Sequence, residues 1–309
     1  MAEAYPMAAG VRSIGASTMQ YIPELFSGKL QKKYRDALLL TQITNNDYQG
    51  EIKRFGDTVY IRSVPDMSVR RYYKGQTLVN DQPESVSQSL VIDQGYYWSF
   101  VSFDLDKAQS DLKNMINDWA AEGAIAIKVQ VETDVLAGVI AGASAYNKGA
   151  AAGYKTAGLN LGTTGSALAV TRTDVLDLIV KARICMKELN VPSDKRFFLI
   201  PPHLAAVLTL SDLKAADMMG DDKSVLRTDY LGRLSTFDFY ESNLLDTNGT
   251  YTQCLFGHKD AITFATQVTT SQMLPNPNGF GTLHRGLVVY GYKVVKPEAL
   301  GVAVVAPSL

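Results

Sequence analysis

The sequence predicts a mixed α+β chain organised around one long helix. Three observations predict it. Between Asp104 and Ala141, the residues Leu105, Ala108, Leu112, Ile116, Trp119 and Ile127 recur at steps of three and four, with Gly123 on the same face and no proline in the run. From Gly56 to Pro65 and from Ser89 to Phe103, alternation and β-branched or aromatic residues replace that period, as in strands. After Thr171 a helix, an apolar strand and a second helix follow in order, the pattern of a small α/β unit.

At about 1.5 Å per residue the helix would be roughly 55 Å long, well beyond the usual three or four turns. Asp104 is placed to cap its first turn, and Asp106 adds negative charge at the positive end of the dipole. After Ile127 the stripe drifts, because Val131, Val135 and Val139 sit progressively round the cylinder. The two ends of the helix are therefore expected to meet different surroundings.

Taken in order, residues 1 to about 22 are small and polar and read as an arm. From Pro23, Leu25, Phe26, Leu30, Tyr34 and Leu38 fall near helical spacing, but Gly28 breaks the pattern, so a broken helix lying on another surface is expected. In GDTVYIRSVP, Val59 and Ile61 alternate with Tyr60 and Arg62 until Pro65 ends the strand. A matching strand, SLVIDQGYYWSFVSF, runs straight into the long helix. The polar stretch between them, from Met67 to Gln88, has no core face and reads as a long two-stranded hairpin projecting onto another surface, such as a second subunit. Gly142 to Ala169 is rich in Gly, Ala, Ser and Thr and reads as a long loop, functional or loosely ordered. Thr171 or Thr173 starts the helix TRTDVLDLIVKARICMKELN; the strand RFFLIPP and the helical HLAAVLTLSDLKAADMM follow. Short strands are expected around STFDFYESNLL and QCLFGHKDAITFATQV, and two more, interrupted by Pro297, at the end.

The 309 residues exceed the usual single-domain size, so two compact units or one core with arms is expected. The 30 basic and 31 acidic residues nearly cancel, which argues against a polybasic nucleic-acid binder. Cys185 and Cys254 are too few for a disulfide framework and are expected as buried thiols. The N-terminus lacks the basic and apolar regions of a signal peptide, and no run reaches the length of a membrane span.

Motifs that carry chemistry are sparse. His203, His258 and His284 have no second histidine or cysteine at metal-ligand spacing, and no G-x-S-x-G elbow occurs, so no metal, catalytic residue or cofactor is expected. Gly149 to Thr156 approaches a phosphate loop, but Gly153 is displaced by one residue and Tyr154 separates it from Lys155, so a plain loop is the better reading. Asp221 and Asp222 read as a solvated turn. Arg70, Arg71, Tyr72, Tyr73 and Lys74 cluster on the hairpin. Aromatic residues beside cations suit single-stranded nucleic acid, yet Tyr and Arg are also the enriched anchors of protein interfaces, and near-zero net charge favours the latter.

Five segments carry a family resemblance: IPELFSGKLQKKY, FGDTVYIRSVP, SFVSFDLDKAQSD, NVPSDKRFFLIPPHLAAVL and VVYGYKVVKPEAL. In this order they resemble the major capsid proteins of tailed double-stranded-DNA bacteriophages, those with the Hong Kong 97-type fold. The resemblance implies an N-terminal arm over 1–46, an extended hairpin loop over 47–101 and a peripheral domain with the spine helix over 102–170. An axial α/β domain over 171–266 and a return to the peripheral domain over 267–309 would complete the chain. It implies a structural, non-enzymatic protein of the virion, made in the host cytoplasm, that self-assembles as hexamers and pentamers into an icosahedral shell. That shell would enclose packaged double-stranded DNA without sequence-specific binding and without a membrane. Partners implied are other copies of the chain, a separate scaffolding protein, a portal and a decoration protein. Phe26, Arg70, Arg71, Tyr72, Tyr73 and Lys74 are then the candidate inter-subunit contacts, and Leu105, Leu112, Ile116, Trp119 and Ile127 the spine packing. In some relatives a lysine of the extended loop crosslinks to a neighbour's asparagine; Lys74 lies in a comparable region, but no partner is evident and no crosslink is expected. The competing readings are an encapsulin-type nanocompartment shell, which resembles the same fold, and a cytosolic α/β enzyme.

Overall fold

Among the described residues three β-sheets, of two, three and six strands, carry the buried clusters together with the helices packed on them. The computed structural model describes residues 39–47, 58–62, 67–78, 80–82, 87–103, 112–211, 230–277 and 279–307. All fall within one unit, Arg35–Leu309. Phe26, Leu105, the Asp104/Asp106 pair, the Asp221/Asp222 pair and the broken helix expected after Pro23 lie outside the described residues.

The described chain begins with a one-turn helix, α1 (Leu40–Ile43). Leu39, Leu40 and Ile43 are buried in the main core, so this last part of the expected arm is core rather than arm. Strands β1 (Thr58–Arg62) and β2 (Ser87–Val91) pair antiparallel. The alternation of TVYIR places Val59 and Ile61 inward, against Leu90, Ile92, Ala265 and Val289. The strand expected over Ser89–Phe103 is divided. After Val91 the chain leaves β1 and continues as β3 (Gln94–Phe103) in another sheet. Gly291 permits that crossing, since a Cβ there would sit 2.3 Å from the Val91 carbonyl oxygen.

The long helix is α2 (Leu112–Val139), about 42 Å at 1.5 Å per residue. It ends in a 3-10 turn, Ile140–Gly142, where Gly142 lies against Val294. Ile116 and Ile127 are buried, as are Val131, Val135, Leu136 and Val139 along the drifting end. Trp119 departs from the expected buried stripe: it is 36% exposed and forms a T-shaped contact with Phe100. No helix among the described residues is long and apolar enough to cross a membrane.

Residues 142–169 are docked rather than loose. Leu161 donates to the Gly149 carbonyl at 2.9 Å, and Val304 donates to that of Leu161 at 2.9 Å. Gly162 adopts φ +81°, and a Cβ there would strike the Val304 carbonyl oxygen at 2.2 Å, so the small residues let this segment lie flat on the C-terminal strand.

The second sheet has six strands, built from β4 (Leu168–Val170), β5 (Arg196–Ile200), β6 (Tyr230–Leu234), β7 (Phe237–Glu241), β8 (Thr252–His258) and β11 (Leu300–Pro307). Their order is β4-β11-β8-β5-β7-β6, with β4/β11 and β5/β7 parallel. Buried throughout, β5 and β8 are central strands whose apolar runs, FFLI and CLF, are flanked by buried polar residues. Phe198 stacks on Phe239 and Phe256 at 5.2 and 5.5 Å, joining β5 to both neighbours. Helix α3 (Asp174–Glu188) contributes Val175, Leu178, Ile179, Ala182, Cys185 and Met186 at helical spacing. Thr173 is the N-cap residue but makes no side-chain cap, while the Thr171 hydroxyl donates to the Asp174 carboxylate at 2.5 Å. Helix α4 (Pro202–Thr209) follows β5. Both cysteines are buried, and burial pushes the Cys185 thiol up to about 11.

The remaining strands, β9 (Ile262–Pro275) and β10 (Gly281–Val294), form the three-stranded sheet β3-β10-β9 beside α2. The expected return over 267–309 is thus split. β9 and β10 lie by the spine helix, but the turn at Pro297–Ala299 redirects the chain and β11 enters the six-stranded sheet between β4 and β8. Its run LGVAVVA has the apolar continuity that an interior strand requires.

Candidate assembly surfaces

Among the described residues, two surfaces with exposed apolar side chains bear on assembly. The first is residues 67–82, between the paired roots β1 and β2. No strand occurs among its described residues, which departs from the expected two-stranded hairpin; MSVRRYYKGQTL has no alternation to hold a ladder. The turn is made at Tyr73–Gln76, where Gln76 donates to the Tyr73 carbonyl at 3.1 Å and Gly75 takes φ +87°. Across the loop, Asp81 accepts from the Ser68 hydroxyl and pairs with Arg70 at 2.7 Å. Arg71 lies over the Tyr73 ring at 5.7 Å. Arg70, Arg71, Tyr72, Tyr73 and Lys74 are brought together here, all exposed, alongside Met67, Val69 and Leu78. Val69 is 97% exposed. Exposed aromatic and aliphatic residues in one loop form the kind of patch that a partner covers.

The second surface belongs to the three-stranded sheet. On its helix side Tyr96, Trp98 and Phe100 alternate inward from β3. Trp98 and Phe100 stack at 5.5 Å, Phe100 and His284 at 4.9 Å, and the edge of Trp119 closes the column at 5.8 Å. On the opposite face the β1/β2 pair covers Val289 and Ala265 at one end. Farther along that face, Tyr97 is paired with Leu287 and stands 76% exposed.

Helix and sheet are tied by a carboxylate that the sequence patterns do not flag. Asp134 accepts from the hydroxyls of Tyr96 and Tyr290, the latter at 3.0 Å, and from the Gln130 amide at 3.1 Å. The bond to Asp134 and burial both raise the Tyr96 phenol; burial first, then Asp134, raises that of Tyr290. Both tyrosines therefore remain neutral donors at physiological pH. Two residues earlier, buried Glu132 accepts from the backbone amides of Leu39 and Leu40.

The residues that suggested chemistry are dispersed. His203 is on α4, His258 ends β8 and His284 is on β10. His284 Nε2 lies 3.0 Å from the Ser102 hydroxyl, but the two residues are 6% and 2% exposed, so no substrate reaches the pair. At the loop resembling a phosphate cradle, the amides of Lys155 and Thr156 donate to Glu188 at 2.7 and 3.1 Å, and the Thr156 hydroxyl adds a third bond. That set of donors is filled by the chain's own carboxylate. Hydrogen bonds from Thr156 first and then from the Lys155 amide hold Glu188 below the usual carboxylate range.

Residues 99–305, well over half of the chain, match a family model described as phage capsid protein. A chain of Mycobacterium phage Che8 is 26% identical, with a TM-score of 0.72, and the match covers 92% of this chain and 97% of that one. The capsid structure of Cyanophage P-SCSP1u is 15% identical with a TM-score of 0.69, covering 99% of both chains. A chain of Gordonia phage Cozz is 17% identical with a TM-score of 0.62, covering 100% of this chain and 99% of that one. The two likenesses below a quarter identity speak for the fold alone. No curated protein matches the chain.

Proposed function

The chain belongs to the phage capsid protein family, and from that premise we propose that it is the major capsid protein whose hexamers and pentamers close into an icosahedral shell around double-stranded DNA. The family match over residues 99–305 carries the reading. A structural shell protein of the virion, assembling with copies of itself, is what that family is. The finer reading assigns the paired roots and the loop over 47–101 to the extended loop, α2 to the spine and the six-stranded sheet to the axial domain.

Supporting this, Arg70, Arg71, Tyr72, Tyr73 and Lys74 stand on a loop with no core of its own. Such a loop gains burial only from another surface, and in a shell that surface is a neighbouring copy. Of the spine set, Ile127 joins the main core and Ile116 is buried, while Trp119 forms a T-shaped contact with Phe100 and is left partly open to a neighbour. A formal net charge of −1 lets an inner wall enclose DNA without adhering along its length. On this reading a scaffolding protein and a portal act with the shell, a decoration protein is an optional addition, and synthesis takes place in the host cytoplasm.

Electron microscopy of the purified chain, expressed alone and with the neighbouring phage structural proteins, tests this. Closed shells with five-fold and six-fold clusters are expected, and DNA in particles recovered from infection. A chain that stays a monodisperse monomer or dimer under every assembly condition refutes the reading, and shells filled with an enzyme cargo point to a nanocompartment.

A further inference from the structure

Glu132 lies in the C-terminal third of the long helix and is 1% exposed. A carboxylate so deep needs donors, because an unpaired buried charge is strongly unfavourable. The Leu39 amide donates to both of its oxygens at 3.1 Å, and the Leu40 amide donates to Oε2 at 3.4 Å. The rest of the segment is tied by other means. The Thr44 hydroxyl donates to the Leu40 carbonyl at 2.7 Å, and Asn45 exchanges bonds of 2.8 and 3.0 Å with Ile262 and Phe264 of β9. Lys259 donates to the Thr41 carbonyl at 3.1 Å from the surface. The two amides nearest the preceding chain are thus held by Glu132.

We propose that Glu132 is a positioning residue for assembly, a buried latch on the spine helix that fixes the point at which the chain before Leu39 joins the core. Thirty-eight residues precede Leu39 in the sequence. At no more than ~3.5 Å per residue they span at most about 130 Å, so the position of their root decides which neighbours they reach. The latch is coupled to the sheet. Asp134, two residues on and about 200° round the helix, holds Tyr96 and Tyr290, so one helix carries the root on one side and the sheet on the other. Only the assembly part of the proposal rests on the capsid reading.

The test compares the full-length chain with E132A and E132Q by peptide-resolved hydrogen exchange at neutral pH, together with shell yield by electron microscopy. In E132A, exchange in the peptide holding Leu39 and Leu40 should accelerate at least about tenfold while the peptide across α3 is unchanged, and regular shells should be lost. E132Q should fall between, since its amide oxygen accepts one N–H but its NH2 faces the other donor. Exchange at Leu39 and Leu40 equal to wild type, or acceleration spread equally over α3, overturns the latch. Normal shells from a variant whose latch is open overturn the positioning role. Should E132A prove insoluble, E132Q is read by the same criteria. If the unaltered chain never forms shells, the capsid reading fails, whereas the exchange comparison still decides the latch.

Discussion

Trp98 lies between two glycines. On the helix, a Cβ at Gly123 would sit 3.0 Å from the indole; on β10, Gly286 is its register partner and a Cβ there would sit 2.6 Å away. An aromatic ring laid over a cross-strand glycine fills the space that glycine leaves. G286A must therefore push the indole against the helix, and we expect a loss of about 1–3 kcal/mol, read as a lower urea midpoint. An unchanged midpoint would mean that the slot has slack. Trp119 behaves differently. The helical stripe predicts a buried indole, for which W119D would prevent soluble accumulation, but the indole is 36% exposed, so an aspartate there reaches water and the variant forfeits the covered part of the ring with its T-shaped contact to Phe100. The expected cost is about 2–3 kcal/mol with soluble yield lowered but retained, whereas I127D, at a buried site, should abolish soluble protein; equal yields of the two would contradict this. A third residue links pH to a loop. The depressed pKa of Glu188 means that its bonds to Lys155 and Thr156 are complete above the ordinary glutamate pKa and are lost as acidification passes its folded value. Amide protection factors around residues 154–158, which correct for the intrinsic slowing of exchange in acid, should fall at acid pH in the wild type, and E188Q should show low protection already at neutral pH. A pH profile shared by both proteins would dissociate Glu188 from the loop.

Among the elements, the helix was the most legible in sequence, because its signal is local. The drift of Val131, Val135 and Val139 correctly marks the end that becomes buried on more than one side. Asp134 and Glu132 carry no such signal: the donors that make sense of Glu132 lie 93 residues away in sequence, and periodicity does not encode such partners. The division of Ser89–Phe103 into β2 and β3 was hidden for a related reason. Asp93 and Gly95 do interrupt the strand-forming residues, but nothing local says that the pairing partner changes there. Residues 67–82 show the converse, where a polar stretch between two strands invites a hairpin but lacks the alternation to build one. β11 was readable as a strand and not as a member of either sheet, since membership depends on register with β4 and β8. That placement makes the C-terminal strand essential. Ending the chain at Lys296 removes Leu300, Val302, Ala303, Val304 and Val305 from the core and opens a gap in the six-stranded sheet. No soluble subunit is expected from it; a truncated chain with native circular dichroism would show that the sheet closes without β11.

At the scale of the whole molecule, the division between a self-sufficient core and a loop without one predicts that folding and assembly are separable. Residues 67–82 contribute nothing to either buried cluster. Their side-chain ties across the loop include the Asp81 contacts with Ser68 and Arg70, a partly exposed pair worth at most about 1 kcal/mol. Because Ser68 and Asp81 touch, the two arms of the loop are already close, and a short Gly/Ser linker can join Met67 to Gln82. The cut must stop there: Ser87 and Gln88 belong to β2, and Gln88 also donates to the Val295 carbonyl at 3.2 Å, so a wider deletion over 68–88 would damage the root. The shortened chain should match the wild-type urea midpoint within about 0.5 kcal/mol, as expected for exposed sites away from core features. It should sediment as a soluble subunit and form no shells, because the Arg and Tyr cluster that a neighbouring copy would cover is gone. An unfolded product would mean that the loop supports the core after all. Normal shells from a folded one would remove the loop from the inter-subunit contacts and leave the uncovered face around Tyr97 and Leu287 as the surface on which copies meet.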